Sequence, residues 1–292
     1  MKLFYLGPEN TYSHSAAKKS ATAITPPPEL VPRLPLETVV SSLVLSGSEP
    51  ALALVPYYNY LEGLVQETLD LIYENEIYIV GSQRLPVRLC LGGFSPEAPE
   101  AVYSHPKALA QCSQYLHKHF PDIPLITTAS TTAAAEKVAA SGSGMAIASQ
   151  AALETNGIPI LAEDIGNTKY GVSNFTDFFL VSKKSQPLSP PESHLTMVAI
   201  TPHVDRIGLL QDILLQIAYF DINLAKIHSR PAIDRVENAG DEPQMFYLEM
   251  VCGQNQERFT RCVDTLQYKF SQPGGLDAVR VLGSYPPLYK SL

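Results

Sequence analysis

Short apolar runs alternate along most of the chain with longer segments in which apolar residues recur at helical spacing. Short runs bounded by glycine, proline or polar residues are typical of buried strands, whereas apolar residues three and four positions apart indicate helices. The pattern predicts strands at 2–6, 49–56, 77–80, 85–91, 101–103, 125–127 and 144–148. It predicts helices after Thr11 or Ser13 and at 64–72, 105–119, 133–140 and 151–156. Strands that alternate with helices favour a mostly parallel α/β sheet.

A proline-rich segment at 186–192 separates this α/β region from a different order of elements. Beyond it the pattern predicts a strand at 195–201, a helix at 207–218, strands at 222–228 and 245–252, a helix at 257–270 and a strand at 278–282. That order is the ferredoxin-like plan. We therefore predict two domains, 1–185 and 194–292, joined by a linker at 186–193. A second proline-rich stretch, 21–33, is predicted to be an extended surface loop.

The composition is that of a globular protein with a sizeable core, since 45% of the 292 residues are hydrophobic and 17% are charged. A net charge of -8 argues against a nucleic-acid partner, because binding to phosphates needs a basic surface. We find neither an apolar stretch of membrane-spanning length nor a signal-peptide cleavage region, so we expect a cytoplasmic protein without a membrane partner. The four cysteines form no zinc pattern, and free thiols are expected rather than a disulfide or a metal site.

Hydroxyl-bearing residues stand at two predicted helix starts in the α/β region. Thr11 and Ser13 follow the first strand, and Ser130 and Thr131 precede an alanine-rich helix. Backbone N–H groups and hydroxyls at a helix start bind anions, although the same residues also serve as ordinary helix caps. Two such starts in one α/β unit favour a cleft that binds carboxylates.

The segment S-H-P-K at 104–107 supplies a third polar helix start, with proline in the first turn. It places Ser104, His105 and Lys107 where they would meet a substrate carboxylate, and a plain surface turn is an equally good interpretation. His117 and His119 are two positions apart and do not share a helix face, so no metal site is expected there.

Four segments taken in order carry a resemblance to a known family. They are G-P-E-N-T-Y-S at 7–13, A-L-V-P-Y-Y-N-Y-L-E-G at 53–63, S-H-P-K-A at 104–108 and V-S-N-F-T-D-F at 172–178. In these segments the chain resembles the prephenate dehydratase family. A fifth similarity lies in the C-terminal part, where the helix start at 208–214 and H-S-R-P at 228–231 resemble an amino-acid-binding ACT domain.

The resemblance implies a catalytic region of two α/β lobes with a cleft between them, similar to periplasmic binding proteins, and a ferredoxin-like ACT domain after it. It also implies prephenate as substrate, an aromatic amino acid as effector, no cofactor, and a homodimer or homotetramer. In the ACT domain the family has glutamate where this chain has His228. The regulatory residues implied are Gly208, Leu209, Asn223, His228, Ser229, Arg230 and Pro231.

The family's active-site motifs are retained in part. Thr176 matches the catalytic threonine and Asn59 matches a motif asparagine, but Tyr58 replaces a glutamate, Tyr60 a serine and Asp177 an arginine. All five are predicted to be catalytic. The substrate-binding residues predicted are Thr11, Ser13, Ser104, His105, Lys107, Ser130, Thr131, Asn174 and Phe178.

The replacements at these motifs suggest a change of chemistry. The usual family member expels carbon dioxide and hydroxide together from prephenate and forms phenylpyruvate. A negative charge near the departing carboxylate would favour its loss as neutral carbon dioxide, and a missing guanidinium weakens anion binding. If the ring hydroxyl is retained, the intermediate that forms on loss of carbon dioxide is protonated on carbon instead. Diverged relatives do this in making unusual amino acids and antibiotics, so we predict a non-aromatising prephenate decarboxylase that yields a dihydro-4-hydroxyphenylpyruvate.

Two alternatives stay open, because a shared fold does not determine chemistry. The retained Thr176 and Asn59 are those of an ordinary prephenate dehydratase, which makes phenylpyruvate for phenylalanine biosynthesis. The other alternative is a catalytically inactive sensor of an aromatic amino acid.

Overall fold

The structure is a computed structural model that describes residues 1–94, 99–168, 172–185, 195–203, 206–232, 244–252, 256–271 and 277–285. In these residues the helices and strands form a mixed α/β fold with three sheets. The predicted fold class is therefore confirmed.

The first sheet is built around an apolar central strand. Its strands are β1 (Lys2–Leu6), β2 (Glu29–Arg33), β3 (Ala51–Asn59), β4 (Gly63–Leu64), β5 (Tyr78–Pro86) and β11 (Phe175–Ser182). They follow the order β2-β1-β3-β11-β5, and β4 pairs with β3. The helices between them are α1 (Tyr12–Ala21), α2 (Leu36–Val44) and α3 (Gln66–Glu74). This order makes β3 and β11 direct neighbours, although they are far apart in the sequence.

The second sheet mixes parallel and antiparallel pairs. Its strands are β6 (Cys90–Gly93), β7 (Val102–Ser104), β8 (Leu125–Thr127), β9 (Met145–Ala148) and β10 (Ile160–Ala162), in the order β10-β6-β9-β7-β8. Strand β7 is parallel to β8 and β9, whereas β6 is antiparallel to β9 and β10. The helices are α4 (Pro106–Gln111), α5 (Ser113–His119), α6 (Thr131–Ser141) and α7 (Gln150–Thr155).

The predicted helix starts are real caps. The side chain of Thr11 accepts the His14 N–H at 3.3 Å, and that of Ser130 accepts the Ala133 N–H at 3.0 Å. Each bond satisfies one backbone donor that has no partner inside its helix. Helix α6 ends at Gly142, whose φ of 66° is the left-handed conformation favoured at helix ends.

Several segments differ from the sequence-based expectation. The stretch 21–33, expected to be a loop, contains β2, and its Pro32 is tolerated because β2 is an edge strand. Helix α2 was not predicted. The helix expected at 105–119 is broken at Cys112. Strand β5 covers most of the strand expected at 77–80 and the start of the one expected at 85–91. Strand β3 continues beyond Pro56 to Asn59.

The last six elements confirm the predicted ferredoxin-like order. They are β12 (Leu195–Ile200), α8 (Leu209–Tyr219), β13 (Asn223–Pro231), β14 (Gln244–Val251), α9 (Gln256–Phe270) and β15 (Val279–Tyr285). The strands form an antiparallel sheet in the order β13-β14-β12-β15. Alternate residues of β14, such as Leu248, pack with Ile213 of α8 and Leu266 of α9 in one buried core.

The chain divides into two compact units. Unit 1 consists of Met1–Ser42, Leu54–Thr68 and Arg84–Phe178, and unit 2 of Leu43–Ala53, Leu69–Gln83 and Phe179–Leu292. The predicted linker at 186–193 lies outside the described residues. The domain boundaries 1–185 and 194–292 stay a prediction.

Candidate active site

A cavity of about 270 Å³ lies in unit 1 and contains most of the polar residues that the motifs singled out. We call it the unit 1 cavity. It is lined by Tyr12, Asn59, Glu62, Val87, Leu89, His105, Lys107, Ala108, Gln111, Ala129, Ser130, Thr131, Asn174 and Thr176. Apolar side chains, hydroxyls, amides and one ion pair therefore meet in a space that fits a small organic acid.

Asn59 and Thr176 form a hydrogen-bonded pair on the cavity wall. The Asn59 Nδ2 donates to Thr176 Oγ1 at 2.9 Å, while Asn59 Oδ1 accepts the backbone N–H groups of Leu61 and Glu62 at 3.0 and 3.1 Å. The two backbone donors fix which amide atom faces the threonine. Because the Thr176 oxygen accepts from Asn59, its own proton is available for an acceptor in the cavity.

Asn174 presents an unsatisfied amide to the same cavity. Its side chain is 6% exposed, and neither Nδ2 nor Oδ1 has a hydrogen-bond partner among the described residues. The backbone is held in place, since Asn174 O accepts the Val87 N–H at 2.8 Å. Leaving a buried donor and acceptor unpaired costs about 1–3 kcal/mol each. A ligand group that both donates and accepts would satisfy this amide.

Among the residues that line the cavity, one ion pair supplies charged side chains. Lys107 Nζ lies 2.6 Å from Glu62 Oε2, and both side chains are substantially exposed. The start of α6, with Ser130 and Thr131, adds backbone donors and the positive end of a helix dipole. His105 caps α4, its Nδ1 accepting the Lys107 N–H at 3.3 Å. The cavity thus offers two places at which a carboxylate can bind.

Tyr12 closes one side of the cavity as a neutral group. Its hydroxyl donates to the Arg88 carbonyl at 2.5 Å. Burial, reinforced by Cys90, Cys112 and Asp164, raises the pKa of Tyr12 well above its usual value. The segment before it is held by His14, whose Nδ1 accepts the Asn10 N–H at 2.9 Å.

The motif positions at which this chain departs from the family lie elsewhere. Asp177, Tyr58 and Tyr60 do not line the unit 1 cavity. Asp177 is 1% exposed and receives two hydrogen bonds from Arg84, Nε to Oδ1 at 2.7 Å and Nη2 to Oδ2 at 2.9 Å. The Arg84 guanidinium also lies 3.8 Å from the ring centre of Phe175. Tyr60 and Tyr58 contact the same ring at 5.0 and 6.5 Å.

We call these five residues, Tyr58, Tyr60, Arg84, Phe175 and Asp177, the back-face cluster. Side chains alternate along a strand, so residues next to Thr176 in β11 point away from it. The charge inversion at Asp177 is therefore compensated inside the protein rather than presented to the cavity. Arg84 was not anticipated from the sequence, since it lies between the two strands expected at 77–80 and 85–91 and belongs to none of the motifs.

Other predicted substrate-binding residues also lie off the cavity. Thr11 caps α1, and Ser13 belongs to the first turn of that helix. Ser104 is buried and donates to the Ile147 carbonyl at 2.6 Å, while Phe178 is 2% exposed in the core. The lining residues that were not among the predicted site residues are Tyr12, Glu62, Val87, Leu89, Ala108, Gln111 and Ala129, and the first, second and fifth of them lie within the motif segments.

The predicted regulatory residues are all in unit 2. Gly208 precedes α8 with a φ of 84°, a left-handed conformation that suits glycine, and Leu209 is buried in the core. Asn223 is exposed at the first position of β13.

The H-S-R-P segment lies on strand β13, where Ser229 and Pro231 are exposed. Arg230 forms an ion pair with Asp70 of α3, whose other oxygen accepts from the Tyr247 hydroxyl at 3.3 Å. The Nε2 of His228 is buried with no hydrogen-bond partner among the described residues, and burial lowers the pKa of this histidine. A cavity of about 240 Å³ lies beside Arg230 and Pro231.

In the part of the chain that the structure describes, no helix has both the length and the apolarity needed to cross a bilayer. No group of three or more His, Cys, Asp or Glu side chains among the described residues is arranged to hold a metal ion. Cys90, Cys112 and Cys262 are buried as free thiols, and Cys252 is half-buried.

The sequence comparisons show the family of this chain. The family model described as prephenate dehydratase matches residues 3–186 of this chain. The bifunctional chorismate mutase/prephenate dehydratase of Aquifex aeolicus is 32% identical over 98% of this chain and 74% of its own length. The prephenate dehydratase of Bacillus subtilis is 32% identical over 79% of this chain and 83% of its own.

A solved structure that carries the same family name is similar over nearly the whole chain. A prephenate dehydratase from Arthrobacter aurescens in complex with L-Phe superposes with a TM-score of 0.80 at 25% identity. The match covers 99% of this chain and 90% of that one.

Proposed function

Because this chain belongs to the prephenate dehydratase family, we propose that it is a lyase acting on prephenate and that it performs the dehydratase reaction. The observation that carries this proposal is the Asn59–Thr176 hydrogen bond on the cavity wall. Thr176 lines the cavity, and accepting this bond leaves its own proton available for donation, which is what the departure of hydroxide requires.

The reaction consists of two bond cleavages. During the second cleavage, the hydrogen bond from Thr176 to the leaving oxygen becomes stronger. The electron pair of the bond between the ring and its carboxylate moves into the ring as carbon dioxide leaves. The ring then expels its hydroxyl at the opposite carbon and becomes aromatic, giving phenylpyruvate. Thr176 donates to the leaving oxygen, so that negative charge builds on a group that is already hydrogen-bonded. As the leaving hydroxyl takes the Thr176 proton and departs as water, the Asn59 amide stabilises the charge that develops on the Thr176 oxygen, and a proton from solvent then restores the threonine.

Substrate binding follows from the remaining lining residues. Val87 and Leu89 offer an apolar wall to the ring. Lys107 and the start of α6 provide two sites for the two carboxylates of prephenate. Lys107 must then exchange its bond to Glu62 for one to the substrate, a small cost because exposed ion pairs contribute about 0–1 kcal/mol.

The decarboxylase hypothesis loses its structural motivation. It depended on Tyr58, Tyr60 and Asp177 facing the substrate, whereas they belong to the back-face cluster and the Asp177 charge is balanced by Arg84. The Aquifex and Bacillus relatives carry the prephenate dehydratase name. We therefore rank the non-aromatising decarboxylase second.

One incubation with prephenate tests this ranking. We expect carbon dioxide release together with the strong ultraviolet band of phenylpyruvate enol in base, in equal amounts. Carbon dioxide without that band, and with a dihydro product in the mass spectrum, would establish the decarboxylase instead. Binding of prephenate without turnover would support the inactive sensor.

We also propose that the ferredoxin-like part of unit 2 acts as an ACT domain that responds weakly to phenylalanine. The Arthrobacter relative was solved with L-Phe. In this chain Arg230 is engaged by Asp70, and His228 replaces the family's acidic residue. We expect little inhibition of prephenate turnover in a phenylalanine titration, and strong inhibition at micromolar concentration would contradict this.

A further inference from the structure

Arg84 connects two groups, Asp177 and Phe175, on the side of the β3–β11 pair that faces away from the unit 1 cavity. Its guanidinium makes both hydrogen bonds to Asp177, at 2.7 and 2.9 Å, and covers the Phe175 ring at 3.8 Å. A planar guanidinium can do both at once, because its edge binds a carboxylate while its face stacks on a ring. The Arg84 side chain is 29% exposed and that of Asp177 is 2% exposed, so solvent screens their ion pair only weakly.

The cluster adjoins both members of the Asn59–Thr176 pair. Phe175 and Asp177 flank Thr176 in β11, and Tyr60 follows Asn59. The Phe175 carbonyl accepts the Tyr60 N–H at 2.9 Å, and the two rings stack at 5.0 Å. Because neighbours in a strand point to opposite faces, fixing Phe175 and Asp177 on one face sets the direction of Thr176 on the other.

We propose that Arg84 is a positioning residue: through Asp177 and Phe175 it holds Thr176 at hydrogen-bonding distance from Asn59, without touching the substrate. Tyr60 shares this role through its stack on Phe175. The activity readout rests on the proposed function. Small displacements matter here, since a misplacement of about 1 Å in an active site costs about a hundredfold in rate.

The departure at Asp177 then has a physical meaning. A buried carboxylate with a bidentate arginine replaces the motif's own cation, and the charge balance of the strand pair is kept within the cluster. Removing either charge breaks both hydrogen bonds between Arg84 and Asp177 and weakens the contact that holds Asp177 of β11 in place. Exchanging the two residues should preserve the pair.

The test compares Arg84→Met, Asp177→Asn and the exchange variant Arg84→Asp with Asp177→Arg. A matched control is Arg33→Met, because Arg33 also lies over a phenylalanine ring of unit 1, Phe4 at 5.5 Å, but away from the cavity. We expect Arg84→Met to lower kcat by about a hundredfold with KM within about threefold. The exchange variant should recover kcat to within about tenfold of wild type, and Arg33→Met should stay within about twofold.

Several results would overturn the proposal. A rise in KM with unchanged kcat would place Arg84 in contact with substrate. Equal losses of kcat in Arg84→Met and Arg33→Met, in step with melting temperature, would reduce its role to general stability. If Arg84→Met does not fold, Arg84→Lys keeps the charge and loses the fork, and normal kcat in that variant would also refute the positioning role.

A second measurement separates this proposal from the proposed function. If wild-type protein did not turn over prephenate, amide hydrogen exchange would still report the position of β11. We expect faster exchange at 175–178 in Arg84→Met than in Arg33→Met. Unchanged exchange there would contradict the positioning role whatever the reaction is.

Discussion

The two faces of the β3–β11 pair differ in how their polar groups are satisfied. On the cavity face, both atoms of the Asn174 amide lack partners among the described residues, and the Thr176 hydroxyl has a proton to donate. On the other face, Asp177 receives two hydrogen bonds from Arg84. Buried polar groups are nearly always hydrogen-bonded. The cavity face, with the Asn174 amide and the Thr176 hydroxyl, is therefore the face with polar groups left to bind a ligand.

This comparison shows why motif reading grouped residues that act separately. Thr176 and Asp177 are adjacent in the motif, yet the strand turns them to opposite faces. The replacement that most suggested new chemistry is thereby part of an internal ion pair. The predictions below probe one face at a time, from the largest expected effect to the smallest.

Replacing the hydroxyl on the cavity face should have the largest effect. Thr176→Val keeps the shape and removes the proton, so we expect kcat to fall by about a hundred- to ten-thousandfold, the contribution of a positioned acid. Thr176→Ser, which keeps the hydroxyl, is the control and should retain most activity. Steady-state kinetics with prephenate measures both, and near-normal turnover in the valine variant would exclude Thr176 as the proton donor.

The unsatisfied Asn174 amide should contribute to substrate binding while it lowers the stability of the fold, and the two effects can be measured separately. Asn174→Leu removes two unpaired polar atoms, so we expect the free energy of unfolding to rise while KM for prephenate rises about tenfold. Urea unfolding and kinetics on the same preparation check the two changes. A less stable variant with an unchanged KM would show that Asn174 serves the fold alone.

On the back face, removing the Tyr60 hydroxyl should have little effect on the rate of the reaction. Tyr60→Phe keeps the ring that stacks on Phe175. We expect kcat and KM to stay within about twofold, equivalent to about 0.4 kcal/mol. A loss of a hundredfold or more would make the tyrosine an acid in the reaction and revive the decarboxylase hypothesis.

The smallest effect expected is a change in stability with pH that comes from His14. Burial lowers the pKa of this residue below its usual 6.5; Lys18 adds to the shift and Glu9 opposes it. Because the unfolded chain takes up the proton more readily, stability is full above about pH 6.5 and falls as the pH drops toward the lowered folded value. His14→Gln keeps an acceptor for the Asn10 N–H and cannot titrate.

Urea unfolding between about pH 5 and 8 measures this dependence. We expect the wild type to lose more stability than His14→Gln on the acid side. Identical pH profiles would show that His14 titrates alike in the folded and unfolded chain.

Local patterns were enough for most elements and for the helix caps. Apolar periodicity located β1, β9 and the ferredoxin-like order, and hydroxyls at Thr11 and Ser130 identified two helix starts. Helix α2 and strand β2 were missed for different reasons. Helix α2 lies beside proline-rich segments. Strand β2 is an edge strand that contains a proline, and a proline read from the sequence alone indicates a loop.

The sequence by itself determined which residue types were available to the site, namely Asn59, Thr176, Lys107 and the start of α6. Only the tertiary structure decided which of them meet. The Asn59–Thr176 bond joins residues 117 positions apart, and the Arg84–Asp177 pair joins residues 93 positions apart. Neither separation leaves a local pattern, because both pairs arise from the order in which β3, β11 and β5 lie side by side. Strand alternation, applied to that order, determines which side chains face the ligand.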